Sequence, residues 1–383
     1  MRPINNILLL IILAASFSCI KQYDPDINKD VSTKYVVNGR VTDKEGWQKV
    51  RVSLSSLIEN PEYIPLQGCQ VTILDDIGNA FSLEEYEAGA YHVWMDKEDL
   101  NPGTGYKVEV ETPDGSVLQS VFDTMVVCPP LDSVYYIAKD VPTTDPEVYR
   151  RSLQYYVDLQ AEGYESHYFK WEVEETWEYH ARHALEYYYD GEFHTVYPPD
   201  SSNMTCFVSG LFPEIYTVST ASFTQNIFPR VPLHLIDGKS SRLSVLYSIL
   251  VRQLAISKDA YNYWEQLRIN STQEGGLYEK QPLSIKGNIQ NLTDPGSSVL
   301  GYFYAASEST RRYFYSNVPE IILNFNDYCQ EDPLGRMGWK EFTPRDYPVY
   351  YYFNEHAILR ILADECIECQ LQGGTTEKPE FWP

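Results

Sequence analysis

Over most of its length this chain alternates apolar and polar residues in short runs, separated by glycine, proline and aspartate. That period of two is the pattern of half-buried strands. The first run is Tyr35-Val36-Val37-Asn38-Gly39-Arg40-Val41, and Gln48-Lys49-Val50-Arg51-Val52-Ser53-Leu54 follows a turn around Gly46. Cys69 to Leu74 and Ala80 to Leu83 flank Asp75-Asp76-Ile77-Gly78-Asn79, which has turn chemistry. Gly89 to Trp94, Tyr106 to Glu111 and, after Pro113-Asp114-Gly115, Val117 to Val121 continue the series. Short strands at this spacing, with no helical period among them, predict a β-sandwich over residues 34–126.

Val127-Cys128-Pro129-Pro130-Leu131-Asp132 breaks the alternation and reads as a junction. Residues 127–383 then predict a larger β-rich domain. Leu153 to Leu159 and Tyr168 to Val173 resume the strand pattern, with Phe169, Trp171 and Val173 on one face. Leu243 to Val251 leads to the one principal α-helix, near residues 257–270. Ser257 can cap it, Asp259 suits its positive end, and Ala260, Trp264 and Leu267 form an apolar stripe that Gly275-Gly276 ends. Trp264 is the expected buried anchor of that helix. Val299 to Ala305 is a further strand, and Gly373 to Trp382 reads as a loop. The fold class is mainly β.

The amino terminus follows another rule. Arg2, the apolar run Ile7 to Ala15 and then Ser16-Phe17-Ser18-Cys19 are the order of a secretory signal ending in a lipobox. The run falls well short of the roughly 20 apolar residues that span a bilayer. Residues 1–18 are therefore the expected signal peptide, and Cys19 the lipidated residue. Residues 19–33, carrying Asp24, Pro25, Asp26 and Asp30, are the expected tether to the membrane surface.

Composition narrows the partners. A hydrophobic content of 43% with 22% charged residues supports a full core rather than disorder. The formal net charge of -24 repels phosphate backbones, so nucleic acid is excluded as a natural partner. The 32 tyrosines and 15 phenylalanines favour strands, and exposed ones could form platforms for a sugar or a partner. Beyond Cys19, the cysteines are Cys69, Cys128, Cys206, Cys329, Cys366 and Cys369. In an oxidising compartment they predict at least one disulfide joining Cys206 or Cys329 to the Cys366/Cys369 pair. Zinc would need a second closely spaced ligand pair, and a redox thiol would need positive neighbours where Asp364, Glu365 and Glu368 stand. No cofactor is expected.

Residues with catalytic potential are few. His180-Ala181-Arg182-His183, with Glu178 and Glu186, would bind a metal if helical, but the strand pattern scatters these side chains over two faces. Asp75-Asp76 with Gly78 faintly resembles a calcium loop whose closing carboxylate is missing. Ser248 and Ser257 lack a nucleophile-elbow setting, and the glycines form no phosphate loop. No enzyme is expected, although carboxylates paired across the fold would be invisible in sequence.

Several stretches resemble one family of Bacteroidetes lipoproteins, DUF4249: Tyr35 to Gly39, Gly89-Ala90-Tyr91, Tyr247 to Gln253, Ala260 to Trp264, Gln281 to Ile289 and Val299 to Phe303. Cys366-x-x-Cys369, Gly373-Gly374 and Lys378 to Trp382 close the series. Cys69 departs from the small apolar residue the family leads one to expect, which argues against a bridge to Cys128. Pro65 to Tyr91 also resembles carboxypeptidase-regulatory-like and transthyretin-like modules, so the first domain is expected to be an Ig-like or transthyretin-like sandwich. The resemblance implies an outer-membrane lipoprotein encoded near TonB-dependent receptors. The expected role is thus a non-catalytic accessory of such a receptor or a binder of its cargo. The alternatives are a surface adhesin or glycan-binding module and, less favoured, a hydrolase.

Overall fold

The computed structural model describes residues 33–56, 61–145, 148–272 and 285–383. The expected signal peptide, Cys19, nearly all of the tether and the Gly275-Gly276 stop lie outside the described residues.

The alternation places strands as the chain is read. β1 (Tyr35–Thr42) and β2 (Gly46–Leu54) pair antiparallel, burying Val37, Val41, Val50 and Val52 while Lys49 and Arg51 face out. The strand Ala80–Glu87 joins the two halves of this N-terminal unit. Its first half pairs with Gln70–Asp75 and its second with Ala90–Met95. Gly105–Glu111 and Val117–Ser120 extend the far half. Both halves feed one core, in which Ile73, Tyr91, Met95, Tyr106, Val108 and Leu118 are at most 1% exposed.

The second unit is built on β3 (Tyr168–His180), β4 (Leu246–Ala255) and β5 (Phe303–Ser316), antiparallel in that order. Phe169, Trp171 and Val173 of β3, with Tyr247, Ile249 and Val251 of β4, are fully buried on one face. They pack against a three-stranded sheet of Ser133–Pro142, Tyr149–Gln160 and Ile227–Asp237. The opposite face carries Lys170, Glu172 and Arg252, and at one end α1 (Lys258–Thr272) covers Leu254. Ser257 Oγ accepts the Ala260 N–H at 3.2 Å, which caps the helix. Contact with the sheet is made by Ala260, Tyr263 and Trp264 on Tyr302 and Tyr304, and Leu267 lies outside that cluster.

A sequence boundary at residue 126 does not coincide with the end of the N-terminal core. Ile289–Asn291 pairs with Val117–Ser120, and β5 runs parallel to β1 from Gly39↔Phe303 to Thr42↔Ala306. Ile289, Val299, Phe303 and Ala305 join the core itself. The division into 34–126 and 127–383 thus gives way to an interlock. Residues 34–126 alone would leave β1 and Val117–Ser120 as bare edges, and an unpaired edge must be covered.

Cys206 is bonded to Cys369 and Cys329 to Cys366, so both members of the closely spaced pair have distant partners. Cys69 and Cys128 are free, Cys69 within the N-terminal core and Cys128 against Gln253. Burial pushes the Cys128 thiol up to about 12. The terminal segment read as a loop is strapped down. Phe207 and Thr375 exchange backbone hydrogen bonds of 2.8 and 2.9 Å, and Trp382 packs edge-on to Phe207 and Phe314 while donating to Glu178 at 2.9 Å.

Gly301 has φ +92°, and a Cβ there would stand 2.1 Å from the Val37 carbonyl oxygen of β1. Gly301→Ala should cost about 2 kcal/mol or more in urea unfolding, through left-handed strain and displacement of β1. An unchanged midpoint would contradict the interlock. Asp123, 6% exposed, accepts the Ala305 N–H at 2.9 Å. Burial pushes its carboxyl up to about 6, against the hydrogen bonds from Ser257 and Ala305. The unfolded chain releases that proton near pH 4, so this group favours the fold below about pH 4 and its contribution is lost as pH rises through 6. Asp123→Asn should therefore gain stability relative to the parent by on the order of 2 kcal/mol between pH 4 and 7. A difference that stays flat with pH would exclude the effect.

Candidate ligand-binding groove

Where the two units meet, the outward face of β1 and β2 adjoins the uncovered face of β3, β4 and β5, and α1 stands at one side. Together they border a groove of about 650 Å³. Alternation explains its chemistry. Val41 and Ala305 point into the N-terminal core, so their neighbours Arg40 and Tyr304 point the other way, into the groove. In the same manner Phe169 and Trp171 face the second core while Lys170 and Glu172 face the groove.

Glu172 is the centre of the floor. It accepts from Lys170 Nζ at 2.7 Å, from Arg252 Nη1 at 3.4 Å and from the guanidinium of Arg40. Arg40 also reaches the Tyr304 hydroxyl at 3.3 Å, and Arg252 lies 3.5 Å from Glu308. Burial opposes ionisation of Glu172, but the charges of Lys170 and Arg40 outweigh it and hold its carboxyl well below the ordinary range. Arg40 is held above its usual value although burial works against it, because Tyr304 and Glu172 favour the cation.

Lys170 is only 5% exposed, and its ammonium lies 4.2 Å from the centre of the Trp264 ring. Trp264 roofs this end of the groove and is half-buried rather than a sealed anchor. Its Nε1–H is buried and has no hydrogen-bond partner among the described residues. At the mouth, Lys49 and Arg51 are exposed and Trp47 is 52% exposed, with one ring face stacked 3.9 Å from His92. The lining therefore has five cations (Arg40, Lys49, Arg51, Lys170, Arg252) against two carboxylates (Glu172, Glu308), an excess of three in a chain of net charge -24. Such a surface attracts an anion and offers it aromatic walls.

The residues singled out in sequence are placed elsewhere. His180 pairs with Glu178 at 2.7 Å, whereas His183 lies 3.2 Å from Glu331, and Arg182 bridges Asp327 and Glu331. His183, Cys329 and Glu331 converge within 4.8 Å, but the Cys329 sulfur is committed to Cys366 and offers no thiolate. The Asp75 carboxylate accepts three backbone N–H groups of Ile77, Gly78 and Asn79, which is turn chemistry. Sequence reading missed the groove altogether. Its one available signal was the charged residues interleaved with the most apolar stretch of β3.

Trp264→Ala removes a half-buried ring that contacts Lys170, Tyr263 and Tyr304. It should cost about 2 kcal/mol, below the roughly 3–5 kcal/mol of a fully buried tryptophan. Thermal unfolding of the lipid-free chain measures this, and a full-sized loss would restore the buried-anchor reading.

No curated protein matches the chain. Trypsin-activated alpha-2-macroglobulin from Escherichia coli shares 9% identity over 59% of this chain and 15% of that one, with a TM-score of 0.19. A Salmonella alpha-2-macroglobulin variant shares 11% identity over 58% of this chain and 14% of that one, with the same TM-score of 0.19. Likeness at that level carries no argument about fold or activity. The family comparison is different in kind, because it spans the N-terminal core, the groove and most of β5. Residues 20–312 match the model of DUF4249, a domain of unknown function, and the chain belongs to that family.

Proposed function

We propose that this protein is a non-catalytic lipoprotein of the cell envelope, anchored to the outer membrane through Cys19. In this reading it is an accessory partner of a TonB-dependent receptor and holds that receptor's cargo in the groove. The observation that carries the binding role is the cationic, aromatic groove set in a strongly acidic chain. Opposite charge in a recess concentrates an anionic ligand and raises its capture rate. Anchoring and the receptor rest on the amino-terminal segment and on the resemblance described above.

A hydrolase reading has one point of contact with the site, since Glu172 and Glu308 share the groove. A glycosidase-type general acid keeps its proton through a raised pKa. Glu172 is instead held ionised by Lys170 and Arg40, which supports binding over hydrolysis. Adhesion to a surface glycan is compatible with the same groove and differs in having no receptor partner.

Purification from native membranes in mild detergent is expected to bring down a stoichiometric barrel partner together with the chain. Cys19→Ser should abolish lipid labelling and release the protein from the membrane fraction. Unaltered labelling of that variant would remove the anchor, and repeated recovery of the chain without a partner would turn the reading toward an adhesin.

A further inference from the structure

We propose that the groove binds an acidic saccharide, with a sugar carboxylate beside Lys170 and a pyranose ring against the indole of Trp47. The inference rests on the cargo-binding reading above and names the chemistry of that cargo.

Charge sets the first requirement. On the floor, Arg40, Lys170 and Arg252 face Glu172 and Glu308, which leaves one positive charge unbalanced. Lys170 donates to Glu172 and lies over the Trp264 ring at 4.2 Å, and among the described residues no second oxygen accepts from it. A cation so deeply buried is costly unless its donors are met. A monoanion with several acceptor oxygens supplies both the missing charge and the missing acceptors.

Backbone geometry decides between a sugar and an acidic peptide. An extended peptide gains much of its affinity by adding to an open strand edge. β1 lies between β2 and β5, and β4 between β3 and β5. β2 and β3 are likewise paired on both sides. Where β1 to β4 line it, the groove therefore presents side chains rather than an open strand edge. Charged donors on the floor and an exposed indole at the mouth suit a ring carrying hydroxyl groups and one carboxylate. The volume of about 650 Å³ lies within the range of roughly 300–1,000 Å³ usual for small-ligand sites.

Calorimetry on the lipid-free mature chain tests this with trigalacturonate, its fully methyl-esterified form and a glutamate-rich peptide. Trigalacturonate should bind, weaken as sodium chloride is raised, and exceed the ester by about tenfold or more. Lys170→Met should weaken it by a similar factor, with thermal unfolding confirming that the variant is folded. Lys49→Gln with Arg51→Gln, both at exposed positions, should flatten the salt dependence whatever the outcome at Lys170. Equal binding of acid and ester, preference for the peptide, or no binding to the parent chain would each overturn the proposal. A barrel partner recovered from membranes alongside a negative sugar result would overturn the ligand class alone and leave the accessory role standing.

Discussion

The N-terminal core and the groove of this protein both depend on one short parallel pairing, that of Gly39–Thr42 in β1 with Phe303–Ala306 in β5. It turns two edges into interior strands and merges two sheets into a continuous hydrogen-bonded path. Tight packing is its condition. A Cβ on Gly39 would meet Val50 Cγ2 at 2.8 Å and the Phe303 ring at 3.2 Å, so the strands approach this closely only because the residue is glycine. The same four-residue ladder gives Val41 and Ala305 to the core and Arg40 and Tyr304 to the groove. Stability and recognition thus share one piece of backbone.

Glu172 plays the corresponding role for charge. A carboxylate taking hydrogen bonds from cations on three strands is poor evidence for stability, since desolvation offsets much of the attraction. Its effect is positional. Arg40 comes from the N-terminal unit, Lys170 and Arg252 from the second, and the shared carboxylate fixes all three in one arrangement before any ligand arrives. Donors held in place in advance lose less entropy on binding.

Period-two alternation made most strands legible, because one buried face per strand leaves its mark on every second residue. Phe169, Trp171 and Val173 show it, all three fully buried. The cap at Ser257 and burial of Ala260 were legible for the same local reason. What alternation cannot tell is whether a polar face meets water or another element. Lys170 and Glu172 read as a solvated face, yet β1 and α1 stand beside them. Arg40 and Glu172 are 132 residues apart, and no local pattern joins them. The division at residue 126 failed likewise, since the chain returns to the N-terminal core some 160 residues later, with Ile289. Cys329 shows the converse case. Its approach to His183 and Glu331 resembles a metal site in position alone, and the bond to Cys366 removes the chemistry.

The return of β5 to β1 also sets the order in which the chain can fold. Arg40 and Tyr304 are 264 positions apart, so during synthesis the first strand of the protein waits for one of the last. Until that segment emerges, β1 presents an open edge, and Val37 and Val41 lack their final neighbours. Contacts of such long sequence separation delay folding, and unpaired edges invite association with other chains. For this topology the vulnerable interval is the time between the first strand and the last, and the chain spends it unable to complete either core.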